Sequence, residues 1–135
     1  MAKLVLVRGI PGSGKSTFAK THYRSFIHLE SDMFFMKDGE YKFDYDYIKE
    51  AHDWCFETCE IFLNNHFDVV VSNIFIKKWE VERYVNVAKQ LNIPYEIHTM
   101  TGNFGSIHNV PEEKIAQMIK NWEIYPAEIK HNFTD

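Results

Sequence analysis

Arginine is scarce in this 135-residue chain: Arg8, Arg24 and Arg83 are the only three among fifteen Lys and Arg residues. With 19 acidic residues the formal net charge is −4. That balance excludes the broad basic field on which non-specific nucleic-acid binding rests, though a local basic cleft remains compatible with it. Cysteine is scarce too. Cys55 and Cys59 stand four apart, on one face of a helical pattern, without the second Cys/His pair of a zinc site. They are expected to be buried free thiols. The chain has no charged-plus-apolar leader and no run of 18 apolar residues, so the expectation is a cytoplasmic, reduced protein with no membrane span. Repeats, low-complexity tracts and Pro/Gly/Ser linkers are missing, which predicts a single domain over residues 1–135.

What is present starts at the N-terminus. The apolar run Leu4-Val5-Leu6-Val7 is followed by Gly9-Ile10-Pro11-Gly12-Ser13-Gly14-Lys15-Ser16-Thr17, which fits G-x-x-x-x-G-K-[ST]. A glycine-rich turn between a strand and a helix aims several backbone N–H groups into one concavity, which suits phosphate oxygens. Gly9, Pro11, Gly12, Ser13, Gly14, Lys15, Ser16 and Thr17 are therefore the candidate nucleotide-binding residues. Lys15 is the cation for the β- and γ-phosphates, and the Ser16 hydroxyl is the candidate Mg²⁺ ligand. A guanine nucleotide is disfavoured, because the chain has no Asn-Lys-x-Asp stretch.

Strands are expected at about 3–8, 26–30, 67–71 and 95–99, and helices at about 15–23, 45–65, 79–91 and from Pro111 onward. The second helix carries the stripe Ile48, Ala51, Cys55, Cys59 and Phe62, and the last one the apolar face Ile115, Met118, Ile119 and Trp122. Asp38-Gly39 marks a turn. The residues after Tyr125 have no assignment. Strands alternating with helices predict an α/β fold with a parallel sheet of about four strands. Thr101–Asn109 reads as a short lid after the fourth strand, with Asn103 and His108 as polar tips. Ligands of such sheets bind beyond the carboxyl ends of the strands.

Phosphoryl transfer needs a group that accepts the proton of the attacking hydroxyl. Asp32, at the end of the second strand, is the candidate catalytic base; the alternative is a turn cap. Ser72-Asn73 ends the third strand with no carboxylate; either Ser72 contributes a hydroxyl or holds a Mg²⁺-bound water and Asn73 orients an acceptor, or the pair simply turns. Lys77-Lys78 reads as a solvated turn or a contact for an anionic substrate. His108 or a lysine such as Lys114 would stand in for an arginine; the alternative for His108 is a solvated loop histidine. Phe34, Phe35, Tyr41, Phe43 and Tyr45 either wall an acceptor pocket or pack over the sheet edge.

These residues resemble the small P-loop kinases related to the kinase domain of bacteriophage polynucleotide kinase. More closely, the chain is similar to short ATP-binding P-loop proteins of bacteria and phages known as AAA family ATPases. The likeness runs to about Trp122. It rests on Gly9–Thr17, Glu30-Ser31-Asp32-Met33-Phe34-Phe35, Asp38 to Asp44, Glu50 to Cys55, Ser72-Asn73, Lys78-Trp79-Glu80, Thr101 to Phe104 and Val110 to Lys114. It implies ATP with Mg²⁺ and transfer of the γ-phosphate to a hydroxyl, on a nucleic acid 5′ end, a nucleoside or nucleotide, or a small metabolite. Lys15 and Ser16 would match the phosphate and metal residues, and Asp32 the general base. The chain departs from that pattern at Phe35, where the polynucleotide kinase has an arginine. It departs again at Ser72, in place of a strand-end acid, and in lacking lid arginines. An ATP-binding module or slow ATPase acting with a partner is the second expectation.

Overall fold

The computed structural model describes residues 2–101 and 110–131. The expected lid, with Asn103 and His108, therefore lies outside the described residues except for Thr101. The elements run β1 (Leu4–Arg8), α1 (Lys15–His22), β2 (Ile27–Leu29), a 3₁₀ turn (Ser31–Phe35), β3 (Met36–Lys37) and β4 (Glu40–Tyr41). A second 3₁₀ turn (Tyr45–Tyr47) leads into α2 (Ile48–Asn64), β5 (Val69–Asn73), α3 (Lys78–Leu91), β6 (Tyr95–Met100), α4 (Glu112–Lys120) and β7 (Ile129–His131).

Among the described residues the main sheet has five strands in the order β2-β5-β1-β6-β7, every pairing parallel. The fold is the expected α/β class, with one strand more than the sequence predicts. β7 comes from the unassigned tail and pairs His98 with Ile129 through Met100 with His131. Its three residues are largely exposed and carry no long apolar run, so nothing in their pattern announces a strand.

Alternation along the central strands sorts the two faces. Leu4, Leu6, Val69, Val71 and Ile97 join Cys55, Cys59, Val81 and Val85 on the side covered by α2 and α3. Val5, Val7, Val70 and Met100 meet Phe18 and Ala19 of α1 on the other. Burial on both sides explains why β1 and β5 read as continuous apolar runs. Cys55 and Cys59 are buried free thiols, as expected, and desolvation raises the pKa of each.

Asp38 and Gly39 both take positive φ, +52° and +80°, so the β3–β4 hairpin closes through the Asp-Gly turn seen in the sequence. α4 departs from expectation, because none of its residues is buried and Ile119 is 58% exposed. Trp122 lies beyond the helix end, with the Arg8 guanidinium 4.3 Å from its ring centroid.

From β1 the chain crosses to β2 at one edge, fills the place between them with β5, and then passes to the other side through β6 and β7. The strand order thus reverses beside β1. In open parallel sheets that crevice, beyond the carboxyl ends, is where ligands bind. The glycine loop opens onto it.

Candidate functional site

The loop between β1 and α1 is shaped by its glycines. Gly12 and Gly14 hold φ at +81° and +90°, the left-handed region that side chains disfavour. A Cβ on Gly9 would fall 2.2 Å from Ser13 Oγ and 3.1 Å from the Met100 carbonyl oxygen, so the loop folds tightly against the end of β6. Gly14 is the N-cap of α1 and supplies no side-chain cap. The first N–H groups of a helix have no intrahelical acceptor, so those of the opening turn at Lys15, Ser16 and Thr17 are available to an anion. Ser13 Oγ is buried without a hydrogen-bond partner among the described residues. An uncapped helix start, left-handed glycines and a lysine at the mouth fit a nucleotide triphosphate. Pro11 lies half-buried in the same loop, and Thr17 is exposed on the first turn of α1.

Burial lowers the Lys15 ammonium pKa, and the carboxylates of Glu30 and Asp32 oppose that shift. All three groups therefore share one electrostatic neighbourhood. Ser16 Oγ donates to Glu30 Oε2 at 2.5 Å, and Ser72 Oγ donates to the same oxygen at 2.6 Å. His28 Nε2 lies 2.8 Å from Ser72 Oγ and 3.2 Å from Glu30 Oε2. Burial by itself would raise the Glu30 pKa. Hydrogen bonds from His28, Ser16 and Ser72, with the charge on His28, outweigh burial and hold the carboxyl down to about 2. For Mg²⁺ the fitting donors are hard oxygens, and the Ser16 hydroxyl and Glu30 carboxylate supply them.

Asp32 sits exposed in the first turn after β2, where the Tyr41 hydroxyl donates to its Oδ1 at 3.4 Å. The turn itself is clamped from beneath. Asn73 Oδ1 accepts from the Ser31 backbone N–H at 2.8 Å, Asn73 Nδ2 donates to Cys55 Sγ at 3.7 Å, and Ser31 Oγ pairs with His52 Nδ1 at 2.8 Å. Asn73 is thus buried in structural service and positions the Asp32 turn, instead of facing an acceptor.

The aromatic segment divides. Phe35 is buried and Phe34 lies 6.2 Å from the Trp54 ring, whereas Tyr41, Phe43 and Tyr45 are 54%, 51% and 71% exposed. Tyr41 and Phe43 stack with centroids 6.4 Å apart beside Asp32, and Lys114 Nζ reaches 6.0 Å from the Tyr45 ring. Lys77 and Lys78 are engaged at the start of α3: Lys77 Nζ pairs with Glu123 at 3.9 Å, and the Lys78 backbone N–H donates to Glu123 at 2.7 Å.

No arginine reaches the loop. Arg8 is completely buried on the α3 side and donates to Glu128 and to the carbonyls of Phe75, Ile76 and Glu123. Arg83 pairs with Asp53 at 3.3 Å and covers the Phe56 ring. Arg24 lies between α1 and β2, at the opposite end of the strands. Glu30 and His52 enter the sequence reading only as part of the resemblance, and His28 not at all; none of the three is given a role there. The trace was there in His28-x-Glu30, two polar residues at strand spacing, but their meaning depends on which strand lies alongside.

A parallel sheet with a strand–glycine loop–helix at its switch point is a P-loop kinase-like fold. The chain belongs to the family described as AAA domain (AAA_33), whose model matches residues 4–103. It is 31% identical over 133 residues to human NEDD4-binding protein 2, covering 89% of this chain and 8% of that much longer protein. Among solved structures, a sugar kinase from Janibacter sp. HTCC2649 matches with a TM-score of 0.67 at 16% identity, over 98% of this chain and 85% of that one. A chain of the Pnkp1/Rnl/Hen1 complex matches with a TM-score of 0.60 at 20% identity, over 86% of this chain and 38% of that one. At such identities the structural likeness concerns the fold. Among the described residues no helix is long and apolar enough to cross a membrane.

Proposed function

We propose that this protein is an ATP-dependent kinase that transfers the γ-phosphate to a hydroxyl acceptor, with Mg²⁺. The observation that carries the reading is the glycine loop itself, with Gly12 and Gly14 left-handed, the start of α1 uncapped and Ser16 bonded to Glu30. Membership of the AAA domain family and likeness in fold to a sugar kinase and to a Pnkp1 complex chain support it.

Phosphoryl transfer asks a protein chiefly for positioning and charge neutralisation. In this reading the backbone N–H groups from Gly12 to Thr17 cradle the phosphates, and Lys15 neutralises charge on the transferred group. Ser16 would hold Mg²⁺, which would offset negative charge on the phosphates. Asp32 orients the acceptor hydroxyl and takes its proton as the new P–O bond forms and ADP leaves. The exposed rings of Tyr41, which bonds to Asp32, and of Phe43 stacked on it offer a wall for an acceptor with a flat face, such as a nucleoside, a nucleotide or a nucleic acid 5′ end. Sugars and other small hydroxyl metabolites complete the class.

The placement of the three arginines favours a second reading, an ATP-binding module or slow ATPase whose partner supplies the missing cation. An arginine at the transition state is worth about 10³–10⁵ in rate. ATP labelled in the γ-phosphate separates the two. Label on an added oligonucleotide, nucleoside or sugar supports the kinase; release only as inorganic phosphate across that panel overturns it in favour of the ATPase.

A further inference from the structure

We propose that Glu30 is the carboxylate of the divalent-cation site, delivered from β2 across Ser72 in place of an acid on β5. The inference rests on the reading of the loop as an ATP·Mg²⁺ site.

Register and face bring the carboxylate there. β2 pairs with β5 as His28 with Val70 and Leu29 with Val71, so the next step sets Glu30 opposite Ser72. Ser72 shares with Val70 the face that α1 covers, and Glu30 shares it with His28. β5 lies between β2 and β1, so an acid at position 72 would stand one strand nearer to the loop. Adjacent strands are about 4.8 Å apart. The longer Glu side chain spans that offset because the residue beneath it is a serine, and it meets Ser16 Oγ at 2.5 Å. The turn that follows makes no use of this side chain: Glu30 is its N-cap residue but accepts no capping hydrogen bond.

Proton counting gives the cluster its direction. A serine hydroxyl has one proton, and those of Ser16 and Ser72 both go to Glu30 Oε2. Ser72 therefore has only lone pairs left for His28 Nε2, so that nitrogen carries a proton. Every one of these contacts falls on Oε2, and Oε1 has no partner among the described residues. Ser16, its proton committed, likewise presents only lone pairs. A fixed carboxylate oxygen and a hydroxyl oxygen offering lone pairs, beside the phosphate cradle, suit a hard divalent cation or the waters around it.

The test reads the metal directly. Mn²⁺ binding is followed by electron paramagnetic resonance in the presence of ATP, and ATP affinity is measured by calorimetry in EDTA. Glu30→Gln is expected to keep the EDTA affinity and to weaken Mn²⁺ in the ternary complex by about 10–100-fold. Glu30→Ser combined with Ser72→Asp, which returns the acid to β5, is expected to regain the metal. A folded Glu30→Gln protein with wild-type Mn²⁺ affinity overturns the role of Glu30 and leaves the ATP site standing. So does a folded double variant that fails to regain Mn²⁺. Absence of ATP binding by the wild-type protein, with and without metal, overturns the phosphate-site reading itself.

Discussion

Two charges stand near the carboxyl rim of the sheet, Arg8 fully buried and Glu30 partly so, and they are treated in opposite ways. Arg8, the last residue of β1, has its guanidinium held by Glu128 at 2.8 Å, by three backbone carbonyls, and by the Trp122 ring. Glu128 in turn accepts from Thr99 at 2.7 Å. That site is saturated. It draws residues 122–128 onto the sheet, ahead of β7, and Phe75, whose carbonyl it grips, holds φ at +55°. Glu30 is held by two hydroxyls and a histidine, all on one oxygen. A charge whose bonding capacity is spent within the chain stabilises structure. One that keeps an oxygen in reserve is prepared for something that arrives from outside.

Substitutions can break this contrast, beginning where the effect is largest. Lys15→Ala is expected to reduce phosphate transfer by about 10³–10⁵-fold, as loss of a cation at the transferred group does. Because burial lowers the Lys15 pKa, the same variant should fold no less stably than the wild type. Measuring transfer and urea unfolding on one preparation checks both halves. A comparable loss of stability would put Lys15 in the structural class with Arg8.

Arg8→Met should do the reverse. It leaves Glu128 buried and unpaired, a cost of about 3–5 kcal/mol read as a lower unfolding midpoint in urea. Adding Glu128→Leu should restore most of that loss. If it does not, the backbone contacts of Arg8 matter more than its charge.

Asp32→Asn is expected to slow transfer by about 10²–10⁴-fold while ATP affinity stays near wild type, since a proton acceptor acts only as the bond forms. Transfer at the wild-type rate would remove Asp32 from the role of base.

The smallest effect is the pH dependence of Glu30. Its folded pKa of about 2 lies below the ordinary 4.5, so the ionised carboxylate favours the native state. That stability is fully present above about pH 4.5 and is lost as pH falls toward 2. A gap of this size corresponds to about 3 kcal/mol at most. Glu96 is also held down to about 2, first by its hydrogen bonds to Lys3 and His98, and titrates over the same span. Unfolding midpoints of Glu30→Gln and Glu96→Gln between pH 2 and 6 separate the two contributions. The Glu96 share should be the smaller, because that side chain is 35% exposed and screened by water.

Much of the framework could be read from the chain. The glycine loop, the apolar runs of β1 and β5, the Asp-Gly hairpin and the stripe of α2 are local patterns with local causes, and each falls within a few residues of its expected position. β5 begins two residues later than its apolar run implies and extends through Ser72-Asn73. β7 escaped notice because an exposed three-residue strand has no periodicity to display; it forms because β6 offers an edge and Arg8 draws the tail toward it.

Sequence alone determined that a glycine loop opens α1, since left-handed glycines and an uncapped helix start are properties of neighbouring residues. It also placed Asp32 close after β2, where the structure has it in the following 3₁₀ turn, and limited the chain to three arginines. Only the tertiary structure decided what those arginines do and which carboxylate meets Ser16. Both outcomes follow from strand order, a long-range property. Setting β2 beside β5 turns a glutamate with no assigned role and a serine 42 positions apart into hydrogen-bonded neighbours.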